Sequence, residues 1–261
     1  LLSSLVGASD VPTEATQCLV SQGNKHLLAL GATPYGGGDF DPLLIRWASQ
    51  DEPTNWTPQV TNTAGFLRVS RGSRIISGVA TRQETLIWTE STLSSLQFLG
   101  TTDVFGLQEL ADNISIISPR CQVTVNNVTF WMGLDKFYVY SGRVETLPCT
   151  LRNHVFNNIN YEQADQIVSG TNEGYHEVWW FYPTADSLTN NAYVVYNYLE
   201  KVWHYGSIQR TAWLDSSLRS YPLGVGNNYV YNQEYGTDAD GVAMESYITS
   251  SDFDITDGEQ F

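Results

Sequence analysis

CQVTVNNVTFWMGLDKFYVYSGRVETL, residues 121–147, contains four short runs of alternating apolar residues separated by turn formers. QVTV leads into Asn126-Asn127, VTFWM into Leu134-Asp135, KFYVY into Ser141-Gly142, and RVETL closes the stretch. Alternation at period two marks a strand with unlike faces. Asn and Asp at 126, 127 and 135 stand where tight hairpins want residues that tolerate positive φ. The joints are too short for crossover helices, so neighbouring strands can pair only antiparallel, as a meander. Four such strands make one propeller blade or one sheet of a sandwich.

The same rhythm extends in both directions. Upstream lie HLLALGA (26–32), LLIRWAS (43–49), FLRVS (66–70), RIISGVAT (74–81), TLIWTE (85–90) and LSSLQFLG (93–100). In LLIRWAS, Leu43, Ile45 and Trp47 share one face and Arg46 takes the other. Downstream come QIVSGTN, HEVWWFYP, NAYVVYNYLE, KVWHYGS, RTAWLDS, YPLGVGNNYVYNQEYG and MESYITSSDFDIT. These form weak repeats of roughly fifty residues with several strands each, a spacing that suggests propeller blades, with a jelly roll or sandwich as the alternative. LRNHVFNNINYEQADQIV (151–168) breaks the pattern, and its spacing of Leu151, Val155 and Ile159 predicts a short helical insertion. The expected organisation is an N-terminal arm over 1–24, a propeller over 25–250, and an exit segment over 251–261.

Composition agrees with an all-β chain. Trp 8, Tyr 15 and Phe 10 make 13% of the residues aromatic, while charged residues reach only 16%. Aromatic and β-branched side chains fit pleated, half-buried surfaces. The formal net charge of -15 excludes a surface that grips nucleic acid or anionic lipid. It is compatible with a wall past which DNA slides. Cys18, Cys121 and Cys149 are odd in number and lack a C-x-x-C pair, so they are expected to be reduced, buried, small apolar residues. No apolar run approaches the ~20 residues of a membrane span. The chain lacks a starting Met and a signal-peptide pattern, which is expected of part of a longer protein.

Motifs that carry chemistry are incomplete. His176-Glu177-Val178-Trp179-Trp180 has Trp where a zinc helix needs its second His. Gly36-Gly37-Gly38 lacks the Lys-Ser/Thr of a phosphate loop and reads as a turn. Asp238 to Gly241 and Asp252 to Glu259 resemble halves of calcium loops without the full ligand spacing. Arg68, Arg71, Arg74 and Arg82 form a basic cluster, read as a solvated strand face or a subunit contact. No catalytic, cofactor-binding or metal-ligating residue is assigned, and the chain is expected not to be an enzyme.

WASQDEPTNW (47–56) allows three readings: a worn S-x-D-x-G-x-T-W box of sialidase-like propellers, a structural turn, or an ordinary loop. Pro53 replaces the box's Gly and no second copy occurs. In the structural reading Ser49 and Asp51 cap the turn, Pro53 presets φ, and Trp47 and Trp56 pack across it.

RWASQDEPTNWTP, GSRIISGVATRQETLIWTESTLSSLQFLG, VTFWMGLDKFYVYSGRVETLP, NHVFNNIN and EVWWFYP followed by NAYVVYNYLEKVWHYG resemble, in that order, the blades of tail tube and nozzle proteins of short-tailed phages. The likeness covers most of residues 25–261, and DFDITDGEQF resembles the point where those chains leave the propeller. It implies a virion tail protein forming a ring, commonly a hexamer, that extends the DNA channel below the portal-adaptor and gates genome ejection. Its implied partners are the portal-adaptor and tail fibre proteins, with DNA passing unbound and with no cofactor. The rival readings are a carbohydrate-binding or sialidase-like propeller in a receptor-binding module, and a propeller scaffold for protein partners.

Overall fold

Strands consecutive in sequence pair antiparallel into sheets that succeed one another along the chain. In the computed structural model, which describes residues 7–239 and 241–243, the first sheet holds β1 (Ala15–Val20), β2 (Leu27–Ala32), β3 (Asp41–Trp47) and β4 (Gly65–Arg68). The second holds β5 (Ile75–Ala80), β6 (Glu84–Thr89), β7 (Thr92–Phe98) and β8 (Phe105–Asp112). β9 (Gln122–Val125), β10 (Val128–Met132), β11 (Phe137–Tyr140) and β12 (Val144–Leu147) make the third. A fourth follows from β13 (Val168–Asn172), β14 (Glu177–Tyr182), β15 (Ala192–Asn197) and β16 (Val202–Ser207). β17 (Ala212–Leu214), β18 (Leu223–Gly226) and β19 (Tyr229–Asn232) form a fifth, and β20 (Asp238–Ala239) pairs with β21 (Val242–Ala243). The first strands of successive sheets pack together, β1 on β5, β9 on β13 and β13 on β17. Antiparallel four-stranded units joined in this way are the blades of a β-propeller.

Burial explains why several strands lack clean alternation. In β6, Ile87 faces the first sheet, whereas Leu86 and Trp88 belong to the core shared with the third and fourth sheets. A strand covered on both faces reads as a continuous apolar run. That shared core continues through Trp131, Phe137, Trp180 and Tyr196 and takes in Val155 and Phe156 from α1 (Arg152–Phe156). With the 3₁₀ turn Tyr161–Gln166, α1 is the helical insertion expected over 151–168.

Asn126 and Asn127 both adopt positive φ (49° and 66°), as the hairpin between β9 and β10 requires. Asp135 does not. Its hairpin is closed by the Gly133 N–H donating to Lys136 O, and the Asp135 carboxylate instead pairs with Arg152.

Three further expectations need correction. The segment read as an arm contains β1, whose Gln17 and Leu19 point inward while Cys18 and Val20 face outward. Cys18 is therefore exposed and Cys149 half-buried; only Cys121 is fully buried, and all three are free. Arg46, assigned to the polar face of β3, is 1% exposed. Residues around Asp10, Pro34 and Trp56 cover the outer face of the first sheet at β3 and enclose this guanidinium, whereas Arg68 of β4 stays exposed. The expected exit segment over 251–261 lies outside the described residues.

Candidate functional site

The decamer around Trp47 is structural, although not in the manner expected. Trp47 packs edge-on against Phe105 at 4.9 Å in the core between the first and second sheets and donates its Nε1–H to Thr63 O. Trp56 lies on the opposite side of the sheet with Ala29, Ala32 and Ala48, and donates to Pro53 O. The two rings thus sit in separate clusters and do not meet across the turn. Backbone bonds from Ser49 N to Asn55 O and from Glu52 N to Ser49 O close it, with Asp51 at φ 56°.

The arginine cluster disperses. Arg68 pairs with Asp41 at 2.7 Å, and Arg71 with Glu109 at 3.2 Å, all at the rim of their sheets. Arg74 contributes a backbone N–H to Glu90, and Arg82 is exposed. His176 is a left-handed residue at φ 61° in the turn before β14, and Glu177 accepts from Trp179 Nε1. Gly36, Gly37 and Gly38 form a turn with φ of 76°, 91° and 127°. Asp238 Oδ1 accepts from Gly241 N, while Asp240 and Asp252 to Glu259 lie outside the described residues. Among the described residues no group of three or more His, Cys, Asp or Glu side chains is gathered as metal ligands.

Open space collects between the second and third sheets, about 600 Å³ around Glu84, Phe98, Asn127 and Tyr140, and where the fourth and fifth sheets meet. β14 carries adjacent tryptophans, which a strand turns to opposite faces. Trp180 enters the shared core and donates to Cys121 O. Trp179 faces the fifth sheet and stacks on Trp213 at 5.3 Å and 14°, with Tyr193 at 4.8 Å on its other flank. Trp213 is anchored by its Nε1–H to Thr171 O at 2.7 Å and lies directly against Gly170, where any Cβ would collide with the ring.

Above these rings is a cavity of about 540 Å³ lined by Tyr175, Trp179, Tyr193, Trp213, Tyr231, Glu234, Tyr235 and Asp238, with Arg210 at its base. A second cavity of about 440 Å³ adjoins it, lined by Glu173, Tyr175, Asp215, Arg219, Tyr221 and Glu234 among others. Tyr175 and Glu234 line both, and Tyr221 and Tyr235 meet edge-on across the boundary at 5.3 Å. Together they form one groove.

Carboxylates outnumber guanidinium groups along the groove. Burial pushes the Glu177 carboxyl above its usual range, and the charge of Glu234 adds to the rise. Tyr193 is raised first by burial and then by Glu177 and Glu234, and Tyr198 by burial and then by Glu173 and Asp215. Arg210 is 1% exposed; it donates to Gln209 O, bonds the side-chain amide of Gln233 and stacks 4.5 Å over Tyr231.

No protein-family model matches the chain, and no curated protein does. Two solved structures that match are Hsv2 proteins of yeasts. Hsv2 of Kluyveromyces marxianus aligns with 10% identity and a TM-score of 0.47 over 82% of this chain, which spans 61% of the length of that protein. Hsv2 of Kluyveromyces lactis aligns with 10% identity and a TM-score of 0.42, over 88% of this chain and 78% of the other. The nozzle function implied by the phage-tail resemblance is corrected here. The matching structures named are yeast proteins rather than tail proteins, and no family or curated match links the chain to a virion. The receptor-binding and sialidase-like alternative is dropped with it, since the decamer is a packed corner and its neighbouring arginines diverge.

Pattern reading missed the groove. Its signal was Trp179-Trp180, where one ring too many for a one-sided strand required a second apolar partner.

Proposed function

We propose that this chain is a non-enzymatic β-propeller that binds a protein partner in the groove between its fourth and fifth sheets. The observation that carries this reading is a contrast between the two aromatic junctions; the cavity of about 600 Å³ between the second and third sheets is lined mostly by polar residues. Between the third and fourth sheets, Phe137, Trp180, Trp203 and Tyr196 fill the space with ring contacts of 4.7 to 6.0 Å. Between the fourth and fifth, a similar set of rings leaves connected cavities of about 540 and 440 Å³ open to solvent. Aromatic side chains standing half-exposed over a concave surface are the usual anchors of a binding interface.

The test is affinity capture with the intact chain beside its Tyr175→Ala and Glu234→Gln variants. Both side chains line the groove and are exposed, so neither change disturbs a packed core. A protein retained by the unmodified chain and lost from both variants is expected. Equal capture by all three would move the contact elsewhere and end the proposal.

A further inference from the structure

We infer that the groove recognises a segment of its partner rich in lysine or arginine, with basic side chains set against the aromatic wall. This rests on the proposed partner-binding function. Two independent features of the groove support it. The first is charge. Glu173, Asp215, Glu234 and Asp238 line the two cavities against the guanidinium groups of Arg210 and Arg219. Arg210 is turned into the protein, onto Tyr231 and Gln209, so the solvent side of the groove is more acidic than the count. Glu177, beside Trp179 and 3.8 Å from His204, feels the charge of Glu234, which adds to the rise that burial gives its carboxyl. A cation between them would relieve that repulsion, whereas an anion would compound it.

The second feature is the wall itself. Trp179, Tyr193 and Trp213 present ring surface, with Tyr175 and Tyr235 standing exposed above them. Ring faces carry negative quadrupole potential and attract ammonium and guanidinium groups, most strongly where carboxylates lie nearby. An apolar ligand would use the rings but desolvate the carboxylates without bringing a cation to offset their charge. An acidic ligand would be repelled. A basic segment satisfies both, and the chain's net charge of -15 would steer such a segment inward.

An acidic protein attracts any polycation, so the experiment must separate the groove from the general field. A fluorescein-labelled decapeptide of alternating Arg and Gly is titrated by anisotropy, beside matched Glu-Gly and Ser-Gly peptides. The proteins are the unmodified chain, Tyr175→Ala, Glu234→Gln and the remote control Asp103→Asn, which makes the same charge change on an exposed loop of the second sheet. The expected result is binding of the Arg peptide alone, weakened about three- to tenfold by either groove variant and unchanged by the control. Equal weakening by Asp103→Asn and Glu234→Gln, with no loss in Tyr175→Ala, would reduce the effect to bulk charge and overturn the inference. Binding of the Ser-Gly peptide with the same dependence on Tyr175 would also overturn the basic specificity while leaving the groove as the partner site. If the captured partner needs Tyr175 and Glu234 but the Arg peptide does not bind, the inference fails and the partner-binding reading stands.

Discussion

Replacing Arg46 with Ala should be among the most damaging single changes in the first sheet. Its Nη1 donates to Thr33 O at 3.1 Å and to Pro34 O at 3.4 Å. Its Nη2 donates to Asp10 O at 2.8 Å, to the Asp10 carboxylate at 2.6 Å and to Trp56 O at 3.2 Å. One side chain thus ties the segment before β1, the β2–β3 loop and the end of the tryptophan corner to the outer face of the sheet. Truncation leaves backbone carbonyls and a carboxylate facing a void. A neutral bond is worth about 1 kcal/mol net and a charged one about 1.5 to 3, while losing one half of a buried pair costs about 3 to 5 kcal/mol. Asp10 keeps some water, at 24% exposure, so about 4 kcal/mol is the expected loss. Arg46→Lys should recover part of it, because one ammonium cannot reach acceptors spread on several sides. The internal control is Arg68→Ala. That pair with Asp41 has the same chemistry, but Arg68 is 57% exposed, and removing it should cost under about 1 kcal/mol. Urea titration followed by tryptophan fluorescence reads both variants. An Arg46→Ala loss below about 1 kcal/mol, or one equal to that of Arg68→Ala, would refute the claim that this guanidinium holds the outer face.

Trp56→Ala removes a ring that is 1% exposed and should cost about 3 to 5 kcal/mol in the same titration, without altering peptide binding in the groove. His26 is buried between Phe98 and Phe105 with Nδ1 unpartnered, and burial lowers its pKa despite opposing contributions from Asn24 and Asp51. The folded state therefore favours the neutral ring. Its contribution is intact above the unfolded value of 6.5 and is lost as pH falls from there through the lower folded value, a decline that His26→Gln should flatten. With a thiol reagent on the native protein, only Cys18 should react quickly. Cys121 is enclosed, with its pKa pushed up to about 11, and should be labelled only on unfolding.

Strands with one polar face, or with Asn at their hairpins, were legible in the sequence: β9 to β12 and the hairpin between β18 and β19 lie where alternation and Asn pairs place them. β1 and β8 were not. Both are edge strands of their sheets, so each has one neighbour and a half-exposed face, which lets Ala15, Thr16, Gln108 and Glu109 blur the apolar period. Arg46 escaped for the opposite reason. Local alternation gave its face correctly, but the covering comes from residues near Asp10 and Trp56, and period-two arithmetic contains no information about them. The groove was invisible on the same grounds, since Trp179, Trp213 and Glu234 meet only through the packing of two sheets.

Among the described residues, each of the first four sheets is encoded in one uninterrupted stretch, with no strand borrowed from another part of the chain. A nascent chain that has cleared the ribosome as far as Asp112 already contains both strands of every ladder described in its first two sheets. Such a chain can fold during synthesis in steps, one local set of ladders at a time. A protein built this way can also gain or lose whole modules by in-frame duplication or deletion between β4 and β5, or between β8 and β9, without leaving any ladder half-paired.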